Sequence, residues 1–241
     1  MSLDPEGQKR REFMRDSLTV IPAVTLAPSL LFSQTLDAAT PPLHQYAPAF
    51  FNAEEWEFIL AATDRLIPED EHGAGALTAN VPVFIDKELS GDYGQASDWY
   101  MQGPFHPNAD PVFGYQLPHT PAALYRLGIQ GARHHAKQKT GQEFTDLSSE
   151  QQEALLADLE NGRADFKAAG IPDLPSATFF AFLLQNTREG YLSDPMYGGN
   201  RDMVGWKMLG FTGARASFHE WVTQHDVPYP LGPVSLAGKR G

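Results

Sequence analysis

Residues 189–215 read Glu189-Gly190-Tyr191-Leu192-Ser193-Asp194-Pro195-Met196-Tyr197-Gly198-Gly199-Asn200-Arg201-Asp202-Met203-Val204-Gly205-Trp206-Lys207-Met208-Leu209-Gly210-Phe211-Thr212-Gly213-Ala214-Arg215. Six glycines, one proline and four large aromatics (Tyr191, Tyr197, Trp206, Phe211) fall within these 27 residues. Glycines permit positive φ and close backbone approach, and aromatics supply broad contact area with polar handles. Asp194-Pro195 is a turn signal, because Asp bonds backbone groups ahead of it and Pro fixes φ. The stretch therefore reads as a long ordered loop between two helices. Such loops are uncommon without secondary structure of their own and often carry function. Its side chains include no nucleophile–base pair and no ligand cluster, so a shaped contact surface is the better reading.

Outward from this loop the pattern is helical. Ser176 to Tyr191, with Phe179, Phe180, Phe182, Leu183 and Leu184, is apolar on nearly all sides of its first half and predicts a central helix. On the other side, Ala214, Phe218, Trp221 and Val222 predict a closing amphipathic helix, followed from Val227 by a proline-rich tail, either extended over a neighbour or disordered. Upstream, Ser148 with Gln151 forms a capping box ahead of Leu155, Leu156 and Leu159. Pro121 opens a long helix to about Lys139, and Gly141 ends it. Asn80 is placed to cap a short helix carrying Val81, Phe84, Ile85 and Leu89. Asn52 and Glu55 start another, with Trp56, Ile59, Leu60, Leu66 and Ile67 at helical spacing up to Pro68. Gly91 to Thr120, dense in Gly, Pro and aromatics, reads as an irregular segment packed over the helices. Alternating β-branched runs are scarce. The predicted fold is mainly α: one helical domain over residues 38–241, with long ordered Gly/Pro/aromatic-rich connecting loops.

The chain has 241 residues, of which 42% are hydrophobic and 11% aromatic, so a folded body is expected. The net charge is −12, and −11 remains after removal of residues 1–37. A surface that acidic repels phosphate backbones and disfavours both nucleic acid and anionic lipid. There is no cysteine, which removes disulfides, covalent c-type haem, thiolate-bound iron–sulfur clusters and cysteine nucleophiles together.

Lys9-Arg10-Arg11-Glu12-Phe13-Met14-Arg15 precedes a mildly apolar run from Leu18 to Leu36. A charged start and an apolar middle are the architecture of an export signal. The pair Arg10-Arg11, with Phe13 and Met14 after one residue, resembles the twin-arginine signature. Pro22, Pro28 and several polar residues make the run a poor permanent span. Residues 1–37 are accordingly read as a twin-arginine signal segment. The junctions Leu36-Asp37-Ala38 and Asp37-Ala38-Ala39 both miss the small-x-small cleavage pattern, so an uncleaved tether stays open as an alternative.

Candidate metal or catalytic groups are sparse. Glu69-Asp70-Glu71-His72-Gly73 lacks the alternate ligands and distal Glu of a calcium loop and reads as a solvated turn. His106 and His119 have no carboxylate–histidine pattern near them, and His134 and His135 are adjacent, about 100° apart on a helix. A stand-alone enzyme would need a site such as Asp194 or Asp202 with His219, which nothing in the spacing enforces.

Several of these pieces fall into a recognisable order: Phe84-Ile85-Asp86-Lys87-Glu88-Leu89 with Gly91, Leu124-Tyr125-Arg126, Phe179-Phe180, and then Gly190-Tyr191, Asp194-Pro195, Tyr197-Gly198-Gly199-Asn200, Gly205-Trp206-Lys207 and Gly210-Phe211. In these the chain resembles the gluconate 2-dehydrogenase subunit 3 family, the small (gamma) subunits of membrane-associated, flavin-dependent sugar and sugar-acid dehydrogenases. The resemblance covers nearly the whole body, and Thr212 departs from it where family members often carry Pro. It implies a non-catalytic small subunit with no cofactor of its own. FAD would reside on a large flavoprotein partner of the GMC type, and a multihaem cytochrome c could form a third subunit. It also implies a periplasmic complex associated with the inner membrane, in which the small subunit supports maturation and supplies the export signal. The absence of a dinucleotide fingerprint, a haem attachment motif and any thiolate agrees with that division. The expected partner-binding residues are Tyr191, Tyr197, Trp206 and Phe211 as aromatic contacts or anchors, Gly198 and Gly199 as backbone shapers, and Asp194 and Asn200 as turn-fixers. That Trp206 and Phe211 simply plug the core stays equally open.

Overall fold

The computed structural model describes residues 41–241; the signal reading of residues 1–37, with Arg10, Arg11, Phe13 and Met14, lies outside them. The described chain is helical and forms no strand, only isolated bridges Asp70–Gly73, Gly213–Val234 and Val234–Arg240. None of its helices is long and apolar enough to cross a membrane.

The helix starts follow local chemistry. Asn52 and Glu55 exchange side-chain-to-backbone bonds of 2.9 and 3.0 Å and open α1, Ala53–Leu66. Helix α2 is Val81–Ser90 and the one-turn α3 is Asp92–Gln95. Thr120 caps α4, Pro121–Thr140, which ends where Gly141 takes a left-handed φ of 78°. Ser148 and Gln151 form a second capping box at α5, Ser149–Glu160. Helix α6, Ser176–Leu192, packs against α1, α2, α4 and α5 and holds the predicted central place. It comes close to α4 because Gly128 has no side chain: a Cβ there would stand 2.1 Å from the Phe179 ring. The aromatic segment after α3 packs as expected, with Trp99 against Tyr93, Tyr115 and Phe182 of α6.

Three expectations are corrected by the structure. Asn80 does not cap α2 with its side chain. It holds a left-handed φ of 57°, and its amide donates to the Pro41 carbonyl at 3.1 Å. The closing helix around Phe218 and Trp221 is reduced to one 3-10 turn, His219–Trp221. The start of the segment is tied to the tail, with the Ala214 N–H donating to the Val234 carbonyl at 2.7 Å, and Ser217 Oγ takes the His219 N–H at 3.1 Å. Inside the predicted loop, Val204–Leu209 forms a short helix, α7.

The acidic residue in the apolar stripe of α2 has a role that sequence reading missed. Asp86 is fully buried, and its carboxylate accepts from Tyr46 Oη at 2.7 Å and from the backbone N–H groups of Ala49, Phe50 and Phe51 at 2.8–3.0 Å. The proline-rich lead-in is thereby clamped onto the helices. Burial first, and then Asp86, push the Tyr46 phenol well above its ordinary value. Arg126 bonds Glu55 of α1 and, at 2.6 Å, the Phe50 carbonyl, so it closes the same corner from α4.

Candidate partner interface

The loop begins where α6 gives way to an extended Ser193. Asp194 is buried and uses both carboxylate oxygens on backbone: one accepts the Met196 N–H at 3.1 Å and the other the Leu236 N–H at 2.6 Å. The first bond fixes the 3-10 turn Pro195–Tyr197, and the second fastens the C-terminal tail to it. Gly198 follows at φ 104°, a conformation that side-chain-bearing residues rarely adopt. At Gly199 an added Cβ would stand 2.1 Å from the Gly190 carbonyl oxygen, so the loop lies directly on the end of α6. Asn200, wholly buried at φ 43°, donates to the Ser193 carbonyl at 2.8 Å and accepts the Gly205 N–H at 2.9 Å. Asp202 and Met203 are also left-handed, and left-handed non-glycine residues each carry on the order of 1–3 kcal/mol of strain. Surrounding bonds hold that strain in place, among them Arg201 N–H to the Ala79 carbonyl at 3.1 Å.

The four aromatics divide into two pairs. Tyr191 is 4% exposed and donates from Oη to the Ala74 carbonyl at 2.6 Å. Burial pushes its phenol up. Trp206 is 6% exposed, with Nε1 donating to the Leu192 carbonyl at 2.7 Å. Both are internal anchors of the loop. Tyr197 and Phe211 are 47% and 51% exposed, and Phe211 stands edge-on to Trp206 at 5.2 Å between ring centres. Of the expected partner-binding side chains, then, Tyr197 and Phe211 face outward, while Tyr191, Asp194, Asn200 and Trp206 shape the surface from beneath.

Sequence reading missed the surface around them. Leu192, Met196, Met208 and Leu209 are exposed beside these two, as are Phe218, Val222, Val227, Leu231 and Leu236 of the following segment. The tail folds back onto its own chain: Val234 N–H meets the Thr212 carbonyl at 3.2 Å, and Arg215 reaches the Gly232 carbonyl at 2.5 Å. Between Trp206–Phe211 and Pro228–Pro233 lies an open cleft of about 460 Å³. Sequence pattern does not separate exposed from buried apolar residues here, because the helical spacing of Ala214, Phe218, Trp221 and Val222 is not realised as a helix.

The carboxylate–histidine alternative is not assembled. Both oxygens of Asp194 are occupied by backbone donors, and Asp202 faces Arg201 and Lys239. Among the described residues, no hydrogen bond or ion pair joins His219 to either. His135 of α4 instead joins Lys139 and Arg163 around Asp158, at 3.0, 2.5 and 2.9 Å. Burial pushes Asp158 up, but these bonds outweigh it and hold the carboxyl well below the usual range. Among the described residues no group of three or more His, Asp or Glu is placed to hold a metal ion.

No curated protein and no solved structure matches the chain. A family match does exist, over residues 53–213, from the first residue of α1 to Gly213 near the end of the loop; the tail lies beyond it. By that match the chain belongs to the gluconate 2-dehydrogenase subunit 3 family.

Proposed function

We propose that this protein is the non-catalytic small subunit of a flavin-dependent sugar or sugar-acid dehydrogenase, and that it binds the large flavoprotein through the loop 190–215. The observation that carries this reading is a strained loop, pinned by the bonds of Asp194, Asn200 and Trp206, that leaves Tyr197, Phe211 and neighbouring apolar side chains at the surface. Large exposed apolar surfaces on soluble proteins often mark interaction sites. A loop stiffened by Asp194, Asn200 and Trp206 presents those side chains with little ordering left to do on binding, which favours affinity. FAD would sit on the partner, with a multihaem cytochrome c as a further subunit.

Export follows from the same reading. A flavin loaded in the cytoplasm must cross the membrane inside a folded protein, and a twin-arginine segment at residues 1–37 would carry the pair to the periplasm. The complex would then associate with the inner membrane.

The test is turnover. Purified alone and given FAD, the chain has no sugar or sugar-acid dehydrogenase activity; mixed with the large subunit, it supports activity. Turnover by the chain alone would defeat the proposal. Export is checked separately: Arg10→Lys with Arg11→Lys leaves the flavoprotein in the cytoplasm.

A further inference from the structure

Charge is distributed as unevenly as exposed apolar surface. Residues 41–200 carry nine basic and 22 acidic side chains, whereas residues 201–241 carry five basic and three acidic. Among the described residues, the net-positive segment 201–241 is thus where most of the exposed large apolar side chains lie.

These features are bonded into one surface. Leu236 is fastened through its N–H to Asp194, which also holds Met196. Lys239 reaches Asp202 at 3.3 Å, and Arg215 lies over the Tyr229 ring at 5.1 Å. Tyr229 in turn stands edge-on to Phe218 and Trp221, at 5.4 and 5.3 Å between ring centres. The cleft between loop and tail has aromatic and proline walls, Trp206, Phe211, Tyr229 and Pro230, with Leu231 beside them and Lys207 at the edge.

We infer that the C-terminal tail, residues 214–241, is part of the docking surface, and that loop and tail together fit a protein face with an apolar centre and a carboxylate rim. This rests on the proposed function, since the occupant is the flavoprotein large subunit. The cleft receives an apolar or aromatic side chain of that subunit as the anchor. Lys207 and Arg240, both exposed, face the rim carboxylates. Arranged this way, the apolar cleft sets how long the complex lasts, while the charges set how fast it forms and which partners are refused. The acidic remainder of the chain repels the same carboxylate rim and so orients the approach.

Affinity for the purified flavin-loaded large subunit tests this, with three variants of the full chain. Phe211→Ala with Leu231→Ser empties the cleft and weakens binding about 30-fold, mainly through faster dissociation. Lys207→Glu with Arg240→Glu alters only surface charge; it slows association about tenfold at low salt, and the difference fades at high salt. Tyr100→Ser with Phe113→Ser, at exposed positions outside the loop and tail, leaves binding unchanged. If the wild-type chain binds and the first two variants bind equally well, the inference fails while the proposed function stands. Loss of binding in the Tyr100/Phe113 variant alone would overturn it too. So would a surface whose use is lipid: wild-type binding to phosphatidylglycerol vesicles that the first variant abolishes, with flavoprotein affinity untouched. No binding by the wild-type chain defeats both readings.

Discussion

In the helical body, three buried polar side chains each gather several partners. Asp86 collects four donors, Asp158 three cationic partners, and Asn186 accepts from the Tyr125 and Tyr93 hydroxyls at 2.8 and 3.2 Å. Burial is the main reason the Tyr93 phenol is pushed up to about 12. The loop and tail after residue 192 are bonded largely through backbone, and many of their large apolar side chains stay outside. The body uses hydrophobic burial for its own folding. The C-terminal region uses hydrogen bonds and left-handed backbone to hold its shape, which leaves apolar area available to a second protein.

That contrast is sharpest at Asp86. Asp86→Ala strands three backbone N–H groups and a hydroxyl, and lowers the unfolding free energy by about 3 kcal/mol or more. Urea titration reads this directly; a loss below about 1 kcal/mol would mean the lead-in is not clamped as described. Gly199→Ala comes next. The loop must lift from the end of α6 to admit a methyl group, at about 2 kcal/mol. Partner affinity falls as well, while the far-ultraviolet circular dichroism of the body is retained.

Acid separates the regions by another route. Asp158 is held low by its three partners, and Glu143 is held low by Arg133 and then Lys137. A depressed carboxyl contributes stability above its unfolded value and loses it as pH falls through the folded value. The body therefore weakens as pH drops below about 4, and Asp158→Asn flattens that part of the profile while costing about 1 kcal/mol at neutral pH. Denaturant midpoints across this range give the comparison. Smallest in stability is Phe211→Ala, within about 0.5 kcal/mol of the wild type because the ring is half exposed. Its effect appears in binding.

Sequence reading succeeds where structure is set by neighbours a few residues apart. The Asn52–Glu55 and Ser148–Gln151 capping boxes and the Gly141 terminus are of that kind. It fails where segments distant in the chain bond to one another. Ala214, Phe218, Trp221 and Val222 have helical spacing, yet the segment forms a single 3-10 turn and its start is bonded to the tail at Val234. A segment this short gains too little from its own hydrogen bonds to overcome nucleation. Asp86 is opaque for a related reason: its donors lie 35–40 residues earlier in the sequence. In the loop, residue types reveal an ordered, shaped surface, but which aromatics face outward depends on carbonyls at Ala74 and Leu192 that only the fold brings near.

Hydrogen exchange on the chain, free and bound to the flavin-loaded large subunit, bears most directly on the division between body and docking surface. Binding slows exchange at amides in residues 194–236 and leaves α4 and α5 unchanged. Protection confined to α4 and α5, with the loop and tail exchanging as in the free chain, would contradict the account.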